Sequence, residues 1–151
     1  MKIVYTDGEN GEFVRLCGML DEYLNEIVGG NKQREQYDKF NSLEKIHDVF
    51  LIYIDGFPAG CASYKRYDET TAEVKRVFLR PEYRGKGLSK HLMNALEEKA
   101  VRDGFSRLIL ETGDLLIEAA GLYKKIGFEI IENYGPYKDM KGSVCMRKKI
   151  I

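Results

Sequence analysis

Apolar positions change their rhythm several times along this chain, and each change marks an element. Residues 2–6 (KIVYT) read as a short first strand. Phe13, Leu16, Cys17, Leu20, Leu24, Ile27 and Val28 then recur at helical spacing, a stripe that Asp7 or Asn10 can cap and Gly29-Gly30 stops. Residues 31–46 are polar, dotted with aromatics, and carry only a thin apolar stripe. They predict a second helix plus a loop, packed loosely over a site. From Asp48 to Asp55 the run DVFLIYID is almost continuously apolar, the pattern of a strand covered on both faces. Gly56-Phe57 turns it, residues 58–67 return as a hairpin arm, and Asp68-Glu69 turns again into 71–80.

Beyond Arg80 the rhythm becomes helical again. Leu88, Leu92, Ala95, Leu96 and Ala100 share one face, with Lys90, Glu97, Glu98 and Lys99 mostly outside it, and Gly104 ends the helix. Residues 106–112 form an apolar strand reached through that crossover, hence parallel to 71–80. Asp114 can cap a further helix over 115–126, closed by Gly127. Residues 128–132 and 144–149 are the last strands, joined by the loop NYGPYKDMKGS. Together these elements predict a single α/β domain over residues 1–151. Its central sheet is mixed and mostly antiparallel, with about seven strands flanked by about four helices. No internal repeat, low-complexity segment or interdomain linker interrupts it.

Composition narrows the function classes. With 24 basic and 24 acidic residues the formal net charge is zero, so the basic excess of a non-specific nucleic-acid binder is missing. No apolar run approaches the roughly 20 residues of a membrane span. The N-terminus, MKIVYTDG, turns polar too soon for a signal peptide. Cys17, Cys61 and Cys145 are odd in number, far apart and set among apolar neighbours, which predicts buried free thiols and a reducing cytoplasm. His47 and His91 show no metal-ligand spacing with any cysteine; both read as surface or boundary residues, and no metal is expected.

The chemistry concentrates at Val74–Ala100, where a strand passes through RGKGLS into a helix. A helix entered this way points unpaired N–H groups and the positive end of its dipole forward, a ready site for phosphates. The spacing is not that of a P-loop, and Gly85-Lys86-Gly87-Leu88-Ser89-Lys90 lacks the third glycine of the dinucleotide fingerprint. Taken alone, the hexapeptide is equally a strand-to-helix turn that needs only a residue with positive φ.

Its neighbours change the weighing. Arg84, Gly87 and, imperfectly, Ser89 match the pattern [QR]-x-x-G-x-[GA]. Leu122-Tyr123 followed by Gly127-Phe128 comes later in the chain. With both in correct order, nearly the whole chain resembles the GCN5-related N-acetyltransferases, the GNAT superfamily. The resemblance implies a GNAT-like fold and acetyl-CoA as co-substrate. Main-chain N–H groups of Arg84, Gly85, Lys86, Gly87, Leu88 and Ser89 would hold the coenzyme A pyrophosphate. Val77, Phe78 and Leu79 would pair with the pantetheine arm like an added strand. The Arg84 and Lys86 side chains would add charge near the phosphates or stay solvated. Many relatives carry an asparagine seven residues before the tyrosine; here that position is Leu116.

Acetyl transfer to an amine needs a neutral amine, a polarised thioester carbonyl and a proton for the leaving thiolate. The resemblance implies direct transfer in a ternary complex, with Tyr123 as the acid; by periodicity alone Tyr123 is a packed aromatic on its helix. Glu73, 11 positions before Arg84, matches the spacing of the family's general base, and is otherwise a strand-end carboxylate. Glu111, Tyr134 and Tyr137 are other candidate bases. Cys145 lacks an assigned histidine partner and reads as a core thiol. The acceptor pocket is expected from residues 31–46 and 134–143. There Tyr37, Phe40, Tyr134 and Tyr137 would form walls, Glu35 and Asp38 would meet a cation, and Arg34 or Arg76 an anion. The expected acceptor is the primary amine of a small molecule, an amino acid or a peptide, with no nucleic-acid or membrane partner and a homodimer plausible. The alternative is a non-catalytic acyl-CoA-binding sensor or regulatory module.

Overall fold

The computed structural model describes residues 1–28 and 46–151. In chain order the elements are β1 (Lys2–Thr6), α1 (Gly11–Val28), β2 (Asp48–Ile54), β3 (Phe57–Arg66), β4 (Thr71–Leu79), α2 (Leu88–Arg102), β5 (Arg107–Gly113), α3 (Ile117–Lys125), β6 (Glu129–Ile131) and β7 (Ser143–Lys149). Short 3-10 turns occupy Pro81–Tyr83 and Gly135–Tyr137. The strands form one seven-stranded sheet in the order β1-β2-β3-β4-β5-β7-β6. Among the described strands only β4 and β5 run parallel, as the crossover through α2 requires. Three α-helices fall among the described residues; the helix expected within 31–46 lies almost wholly outside them.

The apolar run of β2 is explained by burial on both faces. Phe50 and Ile52 join a core with Leu92, Met93 and Leu96 of α2, while Val49 and Leu51 join a second core with Phe13, Leu16 and Leu20 of α1. Alternate residues of a strand point to opposite faces, so α1 and α2 cover opposite sides of the sheet. Of the two caps offered to α1, Asn10 is used: its Oδ1 accepts the N–H groups of Glu12 and Phe13 at 2.9 and 3.1 Å.

The last helix departs from expectation. It begins at Ile117, not Leu115, and Asp114 does not cap it. The Asp114 N–H instead donates to the Gly142 carbonyl at 2.9 Å, and Leu116 N–H closes a turn onto Gly113. Tying this corner to the segment before β7 delays the helix by half a turn. Its end is as expected: Gly127 sits at φ 107°, and Phe128 N–H reaches back to the Tyr123 carbonyl at 2.9 Å.

One irregularity shapes the middle of the sheet. Cys61 pairs with Phe78 but Ser63 pairs with Lys75, so β4 carries one extra residue between them. Arg76 occupies this bulge with φ 57°, a left-handed conformation that costs an arginine about 1 kcal/mol or more. It is held there by two bonds from its guanidinium to Asp21 of α1, at 2.7 and 3.2 Å, and by the Cys61 thiol donating to its carbonyl. Arg76 is therefore tied to α1 rather than offered to an anionic acceptor. On its other side β4 pairs with β5 only from Thr71 to Glu73, whereas β5 stays paired with β7 as far as Gly113. Beyond Glu73 the two parallel strands part.

Candidate active site

Beside the free end of β4 lies a cleft of about 650 Å³. Val77, Phe78 and Leu79 form its β4 wall, and Arg84, Gly85, Gly87, Leu88 and Ser89 close one end. Leu116, Leu122 and Tyr123 line the α3 side, and Leu20, Tyr23 and Leu24 of α1 complete it. A strand that has lost its neighbour keeps main-chain N–H and C=O groups on that edge, a template for an extended, amide-bearing guest. Lys86 lies outside the lining; it is exposed, with its ammonium 5.9 Å from the Tyr83 ring.

The turn at the end of the cleft has the features of an anion cradle. Gly85 and Gly87 stand at φ 79° and 76°, and a Cβ built on either would meet no atom within 4 Å. Glycine is required here by backbone conformation and by the space in front of the turn, not by crowding from the protein. Gly87 is the N-cap of α2 and supplies no side-chain cap, so the first N–H groups of that helix are left for a guest. The Arg84 N–H already donates to the Pro81 carbonyl at 3.2 Å, which leaves the N–H groups from Gly85 onward. The Arg84 side chain folds back: Nε donates to the Leu79 carbonyl at 3.0 Å, and the guanidinium sits 4.5 Å from the Tyr23 ring. It thus pins the end of β4 to α1.

Tyr123 faces the cleft from α3 while its ring packs edge-on to Phe128 at 5.6 Å. The residue belongs to the core cluster and also lines the cleft. Burial pushes its phenol well above the ordinary tyrosine range, so the hydroxyl stays protonated at any working pH.

Glu73 lies outside the cleft lining, at the last paired position before β4 and β5 separate. It is 5% exposed, far from a solvated strand end. Tyr134 donates its hydroxyl to Glu73 Oε2 at 2.7 Å, and the Lys75 ammonium lies 3.9 Å from the same oxygen. Lys75 in turn donates to the Tyr137 hydroxyl at 3.2 Å. Ser143 Oγ donates to Glu111 Oε2 at 2.7 Å, and Glu111 pairs across the sheet with Cys145. Burial lowers the Lys75 ammonium despite the opposing pull of Glu73 and Glu111. Burial raises the phenol of Tyr134, reinforced by the charge of Glu73 and the hydrogen bond to it. It also raises the Cys145 thiol, with the charges of Glu111 and Glu73 adding to the effect, so Cys145 stays an un-ionised thiol.

Sequence reading thus named Glu73, Tyr134 and Tyr137 separately, and the fold brings them together. It missed Lys75, whose only signal was its position two residues beyond Glu73 on the same strand face. It also missed Tyr23 and the other α1 residues, because nothing in their spacing distinguishes a cleft wall from a core stripe. Tyr37, Phe40, Glu35, Asp38 and Arg34 lie outside the described residues. Among the described residues no group of three or more His, Cys, Asp or Glu is placed to hold a metal.

Known proteins resemble this chain in sequence and in fold. Residues 15–128 match the family described as the acetyltransferase (GNAT) family. An uncharacterized N-acetyltransferase, YsnE, from Bacillus subtilis is 33% identical over 94 residues, covering 61% of this chain and 62% of that protein. The IAA acetyltransferase of Azospirillum brasilense is 31% identical over 139 residues, 91% of this chain and 90% of that one. A Klebsiella pneumoniae structure assigned as an acyl-CoA N-acyltransferase superposes with TM-score 0.79 at 27% identity, covering 99% and 98% of the two chains. The PaiA N-acetyltransferase of Thermoplasma acidophilum, solved in complex with coenzyme A, superposes with TM-score 0.74 at 20% identity over 99% of each chain. Matched over most of its length by the family's sequence model and over nearly all of it by the fold, the chain belongs to the GNAT family of acetyltransferases.

Proposed function

We propose that this chain transfers an acetyl group from acetyl-CoA directly to the primary amine of a small molecule, an amino acid or a peptide. The observation that carries the reading is the cleft along the free end of β4, with a main-chain anion cradle at one end and a buried carboxylate farther back on the same strand, where its pairing with β5 stops. The N–H groups of Gly85 to Ser89 fit the pyrophosphate of the coenzyme, and the free edge at Val77–Leu79 fits the amides of its pantetheine arm. Coenzyme A bound to the Thermoplasma relative makes the same guest reasonable here.

When bound, acetyl-CoA supplies the acetyl group as a thioester. Glu73 takes a proton from the acceptor ammonium, directly or through a water, so that the amine can attack. Tyr123 gives a proton to the departing thiolate, a role that its protonated state favours. No covalent enzyme intermediate is needed, and Cys145 takes no part. Three buried free cysteines fit a reducing compartment, and we place the enzyme in the cytoplasm.

The test is thiol release from acetyl-CoA across a panel of primary amines, with IAA added after the Azospirillum relative. Release with at least one amine, lost in Glu73→Gln, is expected. Binding of acetyl-CoA with no release across the panel would instead make the chain a non-catalytic acyl-CoA sensor.

A further inference from the structure

From the contacts of the loop between β6 and β7 we infer that Tyr134 is a positioning residue: it locks the Glu73 carboxylate through Oε2 and presents Oε1 to the acceptor amine. The inference rests on the reading of Glu73 as the base. Tyr134 Oη donates to Oε2 at 2.7 Å, and the Lys75 ammonium approaches that same oxygen at 3.9 Å. Oε1 receives no hydrogen bond among the described residues. One carboxylate oxygen is thus held by the protein while the other keeps its lone pairs for a proton.

The loop is built to hold this phenol in place. Asn133 Nδ2 donates to the carbonyls of both Tyr137 and Met140 at 3.1 Å, cinching the segment into a tight arc. Gly135 at φ 49° turns the chain directly after Tyr134. The Tyr134 ring is gripped edge-on by Tyr67 at 5.4 Å and by Tyr137 at 5.6 Å, and such pairs restrict both rings. Tyr134 and Tyr137 therefore act on β4 as a pair, one on Glu73 and the other on Lys75. Burial and the charge of Glu73 keep the Tyr134 phenol protonated, so it remains a donor throughout the working range.

The groups around Glu73 come from every neighbouring element. Lys65 of β3 is its cross-strand partner, Lys75 shares its strand, Glu111 of β5 and Cys145 of β7 lie beyond, and Tyr134 and Tyr137 cover it from the loop. Removing only the Tyr134 hydroxyl leaves all these charges in place. The expected consequence is a carboxylate that keeps the charges around it but loses the bond that fixes Oε2.

Tyr134→Phe keeps the ring and its edge contacts, so it isolates the hydroxyl. Protein carrying ¹³C-labelled glutamate is compared by NMR with and without the Tyr134 hydroxyl, with Glu73→Gln identifying the resonance. In Tyr134→Phe the Glu73 carboxylate resonance should move, because its hydrogen bond is lost. With the most active amine of the panel, kcat should fall by about tenfold while KM for acetyl-CoA stays constant. A double-mutant cycle then separates the two ideas. If Tyr134 acts through Glu73, Glu73→Gln/Tyr134→Phe is no slower than Glu73→Gln alone. Additive losses, or a Glu73 resonance unmoved by Tyr134→Phe, overturn the positioning role while leaving the base intact. Full turnover in Glu73→Gln overturns the base itself, whatever the resonance does.

Discussion

Replacing Gly87 by valine separates the stability of the cradle from its function. Gly87 has φ 76° and ψ 12°, and a Cβ there would point into open space rather than into protein. The folded state therefore suffers backbone strain without a clash, about 1–2 kcal/mol for an L-residue in the left-handed region. Against a typical stability of about 5–15 kcal/mol the domain should still fold. For a chain of this size each kcal/mol corresponds to roughly 2–4 °C, so the unliganded Tm should fall by roughly 2–8 °C and unfolding should stay cooperative. Coenzyme A at about 100 times its Kd stabilises a protein by about 2.7 kcal/mol, which at roughly 2–4 °C per kcal/mol gives a rise of roughly 5–10 °C in the parent. In Gly87→Val that rise should vanish, because the isopropyl group occupies the space in front of the α2 N–H groups. Differential scanning calorimetry with and without coenzyme A reads both effects. A variant that keeps the full ligand-induced rise would refute the main-chain cradle; loss of cooperative unfolding would refute the claim that nothing crowds this position.

Other consequences are more local. Tyr123→Phe should slow turnover by about 10²-fold or more, while leaving coenzyme A affinity within about twofold by calorimetric titration; unchanged turnover removes Tyr123 from the acid role. Gly60→Ala should be more damaging than its size suggests, since the new Cβ would lie 2.5 Å from the Phe78 carbonyl oxygen and force β4 to shift. A loss of about 1–3 kcal/mol is expected, read as a lower Tm together with weaker coenzyme A binding. Asp103 accepts from Lys99 at 2.6 and 2.8 Å and from Tyr64, and these contacts, Lys99 first, hold its carboxyl below the usual range. A folded-state value below the unfolded one means stability that is present above about pH 4 and lost as pH falls through the folded value. The Tm gap between the parent and Asp103→Asn should therefore be widest near neutrality and close in acid; a gap that does not change with pH contradicts this.

Local rules placed most of the elements because each has a cause contained within a few residues. The spacing of Phe13, Leu16 and Leu20 commits α1 to one buried face, Asn10 caps it, and Gly127 ends α3 for want of a Cβ. Asp114 is not the cap because the helix starts only at Ile117, after a corner tied by Asp114 N–H to the Gly142 carbonyl nearly thirty residues away. Local spacing cannot register so distant a partner. The glycine turn was legible for the same reason that α1 was: two glycines at positive φ before a helix form a self-contained device.

What the chain determined by itself was the order of elements, the cradle at Gly85–Ser89 and the identity of Tyr123 and Glu73 as candidates. What only tertiary structure decided was where those groups face. The bulge at Arg76 is held by Asp21, 55 positions earlier, and β4 leaves β5 after Glu73. Lys75 and Tyr134 join Glu73 across strand and loop, with 61 positions between the phenol and the carboxylate. Burial, charge pairing and the aim of a carboxylate arise from neighbours distant in sequence, and periodicity along one strand carries no record of them.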